Sequence, residues 1–208
     1  MQSQALIERF NATLPEQERT LEQAARNVKL GLERDSEIYK AFTQLHFFTL
    51  TVDFDMRVML RALLVDPQNR LTAEKFLALT LEEAEGAVGR MIGTLIKNMR
   101  TLPDDSGAGL FDHDKINDAV REFKANMAEM RDSVEFNKTL RLIRNTVSGH
   151  IVGDDTGVQN SVIWVLTREG VARTTEGVLK SQIVYFAVSV LTALDTLSRG
   201  LQLSLVKA

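Results

Sequence analysis

Arg144, Asn145 and His150 are the residues of this chain whose types and spacing are best suited to chemistry. A guanidinium is always charged and donates to two phosphate oxygens at once. An imidazole titrates near neutral pH, so it can take a proton from a ribose 2′-hydroxyl or give one to a leaving 5′ oxygen. The arginine would stabilise the charge that builds on phosphorus, and the asparagine could orient either group. These groups suffice for cleavage of RNA without a metal.

The stretch around Arg144 is basic. Residues 136–153 contain Lys138, Arg141 and Arg144 but neither Asp nor Glu. Arg141, Arg144 and Ser148 are three and four residues apart, so they share one face of a helix. We therefore predict that Lys138, Arg141 and Ser148 contact RNA phosphates beside the catalytic candidates. The alternative is an ordinary solvated helix face.

His150 has a second interpretation, as a histidine of the core. In an unbroken helix it lies about 120° from Arg144, on the face of Ile143 and Val147. Gly149 weakens this objection to a catalytic role, because glycine often closes a helix and a turn there would direct the imidazole elsewhere. From spacing alone, both interpretations stay open.

The segment RNTVSGH, residues 144–150, resembles the signature of the HEPN superfamily, which is an arginine, a polar residue, about three to five further residues and a histidine. The resemblance implies an all-helical domain and a metal-independent endoribonuclease of toxin–antitoxin, abortive-infection or CRISPR-associated defence. It gives paired catalytic roles to Arg144 and His150 and the polar position to Asn145. It also implies a homodimer whose subunits share one cleft, and it covers approximately residues 80–205.

Composition places the chain among globular proteins. It has 208 residues, of which 44% are hydrophobic and 25% charged, which suits one domain with a sizeable core. The absence of cysteine excludes disulfides and thiolate metal sites. The formal net charge of −3 argues against a general nucleic-acid binder, yet residues 136–208 carry eight Lys/Arg against five Asp/Glu. For a phosphate ligand, this local charge matters more than the net charge.

The chain is expected to be cytoplasmic, without a membrane span. Its N-terminus has neither the basic region nor the long apolar region of a signal peptide. The longest apolar run, residues 183–194, is too short to cross a bilayer. RNA is the expected partner, together with a second copy of the chain and an antitoxin protein if the defence context applies.

We expect neither metal nor cofactor. No histidine has a glutamate three residues before it, as a di-iron bundle would require. Asp112, His113 and Asp114 crowd together at a predicted helix start, where acids are typical of capping. P-loop, dinucleotide-binding and nucleophile-elbow motifs are absent from the sequence. His46 is interpreted as a partly buried structural histidine and Trp164 as an anchor of the core or of a dimer interface.

Helical periodicity recurs in every long segment, which predicts an all-α, up-and-down helical bundle with extra N-terminal helices. We expect a single domain over residues 1–208, with N-terminal helices in residues 1–70 and a HEPN-like bundle in residues 71–208. The apolar spacing predicts a helical stripe through 38–63 and another through 179–201.

Boundary signals refine this picture. Pro15 is expected to close a first short helix, and Ser36 to cap the next helix, which ends at Asp66 before a proline. Thr80 and the glutamate three residues later are expected to form a capping box at a helix start. At Ser133 either a new helix begins or the preceding one continues to about residue 148.

Two functions are therefore kept open at this stage. The first is a dimeric HEPN-like ribonuclease that needs no metal. The second is a non-catalytic helical interaction or scaffold protein. A metal-binding bundle is disfavoured because the ligand spacing is absent.

Overall fold

A computed structural model describes residues 2–66, 70–101, 108–143 and 173–206 of the chain. Within these ranges the backbone forms seven α-helices and one short 3₁₀ segment, Ala108–Leu110. The helices are α1 (Gln2–Glu33), α2 (Glu37–Val65), α3 (Arg70–Thr101), α4 (His113–Asn126), α5 (Ala128–Asp132), α6 (Val134–Ile143) and α7 (Arg173–Leu203). The only β pairing in these ranges is an isolated bridge between Phe111 and Leu205. The prediction of an all-α helical bundle is confirmed.

Helix α2 lies at the centre of the bundle, where it packs against α1, α3 and α7, while α4 packs against α7. This position follows from the apolar stripe of α2, whose period matches the helix and gives it a wide buried face. Similar stripes on α3 and α7 complete one continuous core. Its largest fully buried side chains include Ile38, Leu45, Met56, Leu77, Leu95 and Phe136.

Two predicted helix ends, both of α2, are confirmed. The Oγ of Ser36 accepts a hydrogen bond from the backbone N–H of Tyr39 at 3.2 Å, which caps α2. That helix ends at Val65, and the backbone N–H of Asp66 donates to the carbonyl of Ala62. Side-chain capping thus acts where the sequence predicts it, and α2 ends where the sequence predicts its end.

The predicted helix end at Pro15 is wrong, since α1 continues through this residue to Glu33. Proline removes one hydrogen-bond donor, but tertiary contacts hold α1 on both sides of it. The Nε of Arg61 donates to Asn11 at 2.6 Å, and the Nε2 of Gln17 donates to Asp53 at 3.4 Å. Packing against α2 therefore outweighs the local preference of the proline.

The predicted capping box at Thr80 is also wrong, because Thr80 lies in the middle of α3. Its hydroxyl donates to the backbone carbonyl of Phe76 at 2.8 Å instead of accepting from a helix start. The buried residues Leu77, Leu81 and Ala84 form a single apolar stripe across this point. Burial of this continuous apolar face thus keeps α3 helical through a segment whose local sequence is typical of a helix start.

The helix boundary at Ser133 resolves the alternative left open by the sequence, since α5 ends before this residue and α6 begins after it. The backbone N–H of Ser133 donates to Met130, and the Nδ2 of Asn137 donates to the carbonyls of Met130 and Arg131 at 3.0 and 2.7 Å. One side chain of α6 therefore binds two of the last carbonyls of α5, in addition to the backbone bond from Ser133. This contact fixes the starting direction of α6.

The segment Ile183–Leu203 of α7 is long and apolar enough to cross a membrane by length and composition. Half of that segment is buried inside the bundle, where it packs against α2 and α4. Burial of this kind is typical of a core helix of a globular protein, which passes the same test of length and apolarity.

Candidate functional site

Helix α6 carries the basic residues that precede the RNTVSGH segment. Its apolar face is buried, with Phe136 at 1% and Leu140 at 2% exposure. The ring of Phe136 packs against Phe186 of α7, with 4.6 Å between the ring centroids. Lys138 and Arg141, three residues apart, are both exposed. The amphipathic pattern of the helix thus anchors one face and presents two cations to solvent.

The cations of α6 are accessible to a ligand. The Nζ of Lys138 lies 2.8 Å from the Oε1 of Glu135, and both side chains are about 70% exposed (67% and 73%). An exposed ion pair at this spacing contributes little to stability, because water screens it. Lys138 could therefore exchange its carboxylate partner for a phosphate at low energetic cost, beside Arg141 on the same helix.

The remaining predicted site residues, Arg144, Asn145, Ser148 and His150, lie outside the described residues, as does Trp164. Of the six predicted catalytic and RNA-binding residues, the structure therefore places Lys138 and Arg141 alone, and it brings these two together on α6.

His46 is half-buried in α2, which confirms its interpretation as a partly buried histidine. Its Nε2 lies 3.2 Å from the Oγ of Ser198 and 3.3 Å from the Nε2 of Gln202, both on α7. Its ring stacks on Phe42 with 6.4 Å between centroids. Burial lowers the pKa of His46 below its ordinary value, which favours the neutral imidazole.

The acidic cluster at the start of α4 acts as a helix cap, as predicted. The Oδ1 of Asp112 accepts from the backbone N–H of Lys115 at 3.2 Å, and its Oδ2 lies 3.1 Å from the Nζ of the same lysine. The backbone hydrogen bond from Lys115 is the main reason that the pKa of Asp112 lies below its ordinary value. Among the described residues, no group of three or more His, Asp or Glu side chains could hold a metal ion.

Two neighbouring cavities between α1, α2 and α7 are the feature that sequence reasoning missed, and we call them together the three-helix crevice. Its aromatic end has a volume of about 430 Å³. Residues that line this end include Gln23, Asn27, Tyr39, Phe42, Thr43 and His46. Its polar end has a volume of about 220 Å³. Residues that line this end include Gln17, Thr49, Asp53, Asp195, Ser198 and Arg199. Thr20 and Gln202 line both ends, which makes the two volumes neighbours.

Asp53 is the most buried charged group of the polar end, at 8% exposure. The guanidinium of Arg57 donates to both of its oxygens, at 2.7 and 3.1 Å, and Gln17 donates to its Oδ2 at 3.4 Å. Burial raises the pKa of Asp53, while the hydrogen bond from Arg57 opposes that rise. At the rim, an oxygen of Asp195 lies 2.9 Å from the Nη2 of Arg199.

Only weak sequence signals point to this crevice. Thr49 and Asp53 are four residues apart on α2, and Ser198 and Gln202 are four apart on α7, so each pair shares a helix face. Ser198 is also a buried polar residue among the buried apolar residues of α7. Nothing in the sequence relates these polar positions to one another across three helices.

No protein-family model, curated protein or solved structure matches this chain. The fold class therefore rests on the helices described above, and the resemblance to the HEPN superfamily rests on the sequence of residues 144–150 alone.

Proposed function

We propose that this chain is a metal-independent endoribonuclease of the HEPN type. The observation that carries the proposal is the position of the RNTVSGH segment directly after α6, a helix with Lys138 and Arg141 exposed on its surface. An all-α bundle is the architecture that the resemblance implies. Exposed cations that directly precede the Arg144–Asn145–His150 motif in the sequence suit a substrate with a phosphate backbone.

The proposed reaction is an internal transesterification of RNA. The imidazole of His150 removes the proton of a ribose 2′-hydroxyl, and the 2′ oxygen then forms a bond to the adjacent phosphorus. The bond from phosphorus to the 5′ oxygen breaks, and a second histidine, from the other subunit of the proposed homodimer, protonates the leaving oxygen. The products are a 2′,3′-cyclic phosphate and a 5′-hydroxyl end, without any need for a metal or cofactor.

The other predicted residues have supporting roles in this proposal. Arg144 stabilises the negative charge that accumulates on the phosphoryl oxygens in the transition state. Asn145 orients the arginine or the histidine by hydrogen bonding. Lys138, Arg141 and Ser148 contact neighbouring phosphates and position the strand.

The test is incubation of purified protein with mixed RNA in EDTA, beside the variants His150→Ala and Arg144→Ala. Arg121→Ala is a matched control, because Arg121 is an exposed arginine on α4 with its own carboxylate partner. We expect cleavage by the wild type and the control, with cyclic-phosphate ends, and loss of cleavage in both site variants. Equal cleavage by wild type and His150→Ala would contradict the mechanism.

A cytoplasmic homodimer, with an antitoxin partner in the defence context, belongs to the same proposal. Light scattering coupled to size exclusion would detect the dimer, and a monomer at assay concentration would contradict the shared site.

A non-catalytic helical interaction protein is the second candidate, and exposed apolar residues on α7 favour it. Val184, Tyr185 and Val188 are 41%, 51% and 54% exposed, and the two valines are one helical turn apart. The hydroxyl of Tyr185 donates to Glu129 at 2.8 Å, which gives this surface a polar edge. Apolar patches with polar edges are typical of protein-binding surfaces. This candidate predicts that Val188→Asp impairs association with a protein partner, whereas His150→Ala has no effect on it.

A further inference from the structure

Two buried polar atoms at the polar end of the three-helix crevice have no hydrogen-bond partner among the described residues. They are the Oγ1 of Thr49 and the Oε1 of Gln17. Thr49 is fully buried, at 0% exposure. A buried polar atom without a partner destabilises the folded state, so such atoms usually mark a place for a water molecule or a ligand.

The orientation of Thr49 differs from that of its neighbours on the same helix. The hydroxyls of Thr43 and Thr51 donate to the backbone carbonyls of Tyr39 and Phe47, four residues earlier. Thr49 has no such bond to its own helix and lines the crevice instead. Its hydroxyl is therefore available to a molecule in the crevice.

The remaining groups of the polar end favour a hydrogen-bond donor. Asp53 and Asp195 line it, and each is paired with an arginine, Arg57 or Arg199, so the choice of ligand rests on the two unpartnered oxygens. The carbonyl oxygen of Gln17 accepts hydrogen bonds but cannot donate them. An ammonium group has three donors and no acceptor, so it can donate to these oxygens, whereas an ionised carboxylate has no proton to donate to the carbonyl oxygen of Gln17.

The aromatic end favours a flat apolar body. Phe42 is almost fully buried and stacks on His46, while Tyr39 lies beside it. The lowered pKa of His46 favours its neutral form, and the two charged residues that line this end, Glu16 and Arg19, are of opposite sign. At about 430 Å³, the space is in the range of sites that hold small organic molecules.

We propose that the three-helix crevice binds a small organic amine that has a flat apolar body. The ring system lies against Tyr39 and Phe42, and the ammonium group lies between Asp53, Thr49 and Gln17. Thr20 and Gln202 line both ends, so they flank the part of the ligand that joins its ring system to its ammonium group. This site is separate from the RNTVSGH segment and does not depend on the proposed nuclease activity.

The experiment compares two probes of the same shape, tryptamine and 3-indolepropionate, by amide chemical-shift titration of the full chain. Tryptamine should move the signals of Gln17, Thr49 and Ser198, with a saturable response at millimolar concentration, and the acid should not. Absence of a response to tryptamine would mean that the crevice holds water only. That outcome, or an equal response to both probes, would overturn the proposal.

A matched pair of variants tests the role of the unpartnered hydroxyl. Thr49→Val keeps the shape of the side chain, so the protein should fold with unchanged or higher stability. It should weaken the affinity for tryptamine about fivefold or more, as expected for loss of one hydrogen bond. Thr94→Val, at an exposed position of α3, should bind as the wild type does. Equal affinity in both variants would overturn the assignment of the amine to the polar end.

Discussion

Helix α6 and the three-helix crevice are two regions that reveal chemistry in opposite ways. Lys138 and Arg141 of α6 and the following Arg144, which lies outside the described residues, are close in the sequence, so they are recognisable from spacing alone. In the crevice, Gln17, Thr49 and Ser198 come from three helices far apart in the chain. Spacing in the sequence indicates the first region, whereas the second forms only where three helices pack together.

The difference between the two regions concerns how charge and burial are combined. The cations of α6 are exposed, so they can attract a polyanion at a distance but contribute little to stability. Three residues that line the polar end of the crevice, Thr49, Asp53 and Ser198, are buried, so each of them needs a partner in the folded protein. Exposed charge therefore indicates the kind of ligand, while buried polarity indicates where a ligand can be held.

His150→Ala gives the largest effect that we expect. Loss of a general base or acid should lower RNA cleavage by about 100-fold or more. If the histidine is catalytic, the free energy of unfolding should stay within about 0.5 kcal/mol of the wild type. Cleavage rates in EDTA and urea unfolding of the same samples measure the two quantities. A large loss of stability would instead support the interpretation of His150 as a core residue.

Phe136→Ala tests whether the packing of α6 against the core affects RNA cleavage but not the binding of amines in the crevice. Removing this buried ring should lower the free energy of unfolding by about 3–5 kcal/mol, because it leaves a cavity against Phe186. Phe76→Ala is the control, since Phe76 is 47% exposed and its loss should matter far less. In folded Phe136→Ala protein, RNA cleavage should decrease while tryptamine binding persists. Parallel loss of both activities would show that the two regions are not independent.

His46 gives the crevice a pH dependence that α6 should lack. Because burial lowers its pKa below 6.5, the folded state binds fewer protons than the unfolded state near that pH. The stability it contributes is complete above pH 6.5 and is lost as the pH falls through the lower folded-state pKa. The difference in unfolding free energy between wild type and His46→Gln should therefore decrease from pH 7.5 to 5.5. A constant difference would contradict the stated burial effect.

Lys138→Ala and Arg141→Ala should have the smallest effects. Each should lower RNA cleavage about two- to fivefold at low salt and less at high salt, because screening weakens phosphate contacts. Neither should change stability by more than about 0.5 kcal/mol, since both side chains are exposed. Lys124→Ala, an exposed lysine on α4, is the control. Equal effects of all three variants would indicate that overall charge, not the face of α6, determines binding.

The sequence predicted those parts of the fold in which local and global preferences agree. The apolar stripe of α2, that of α7 from Ile183 onward, and the caps at Ser36 and Asp112 are local features, and these predictions are confirmed. The helix end predicted at Pro15 and the helix start predicted at Thr80 are wrong, because tertiary packing holds the helix through each position. The packing partners are distant in the chain, so local signals do not reveal them. The crevice depends on three such partners at once, so periodicity within one helix could not predict it.

The bridge between Phe111 and Leu205 has a practical consequence for handling this protein. The backbone N–H of Asp112 donates to Ser204, and that of Val206 donates to Leu110, so the end of α7 is tied to the start of α4. Carboxypeptidase digestion that removes the residues after Ser204 would break the bond from Val206 to Leu110. It would also remove Leu205, which lines the aromatic end of the crevice. Preparations trimmed in this way should exchange amide hydrogens faster near the start of α4 and bind amines less well.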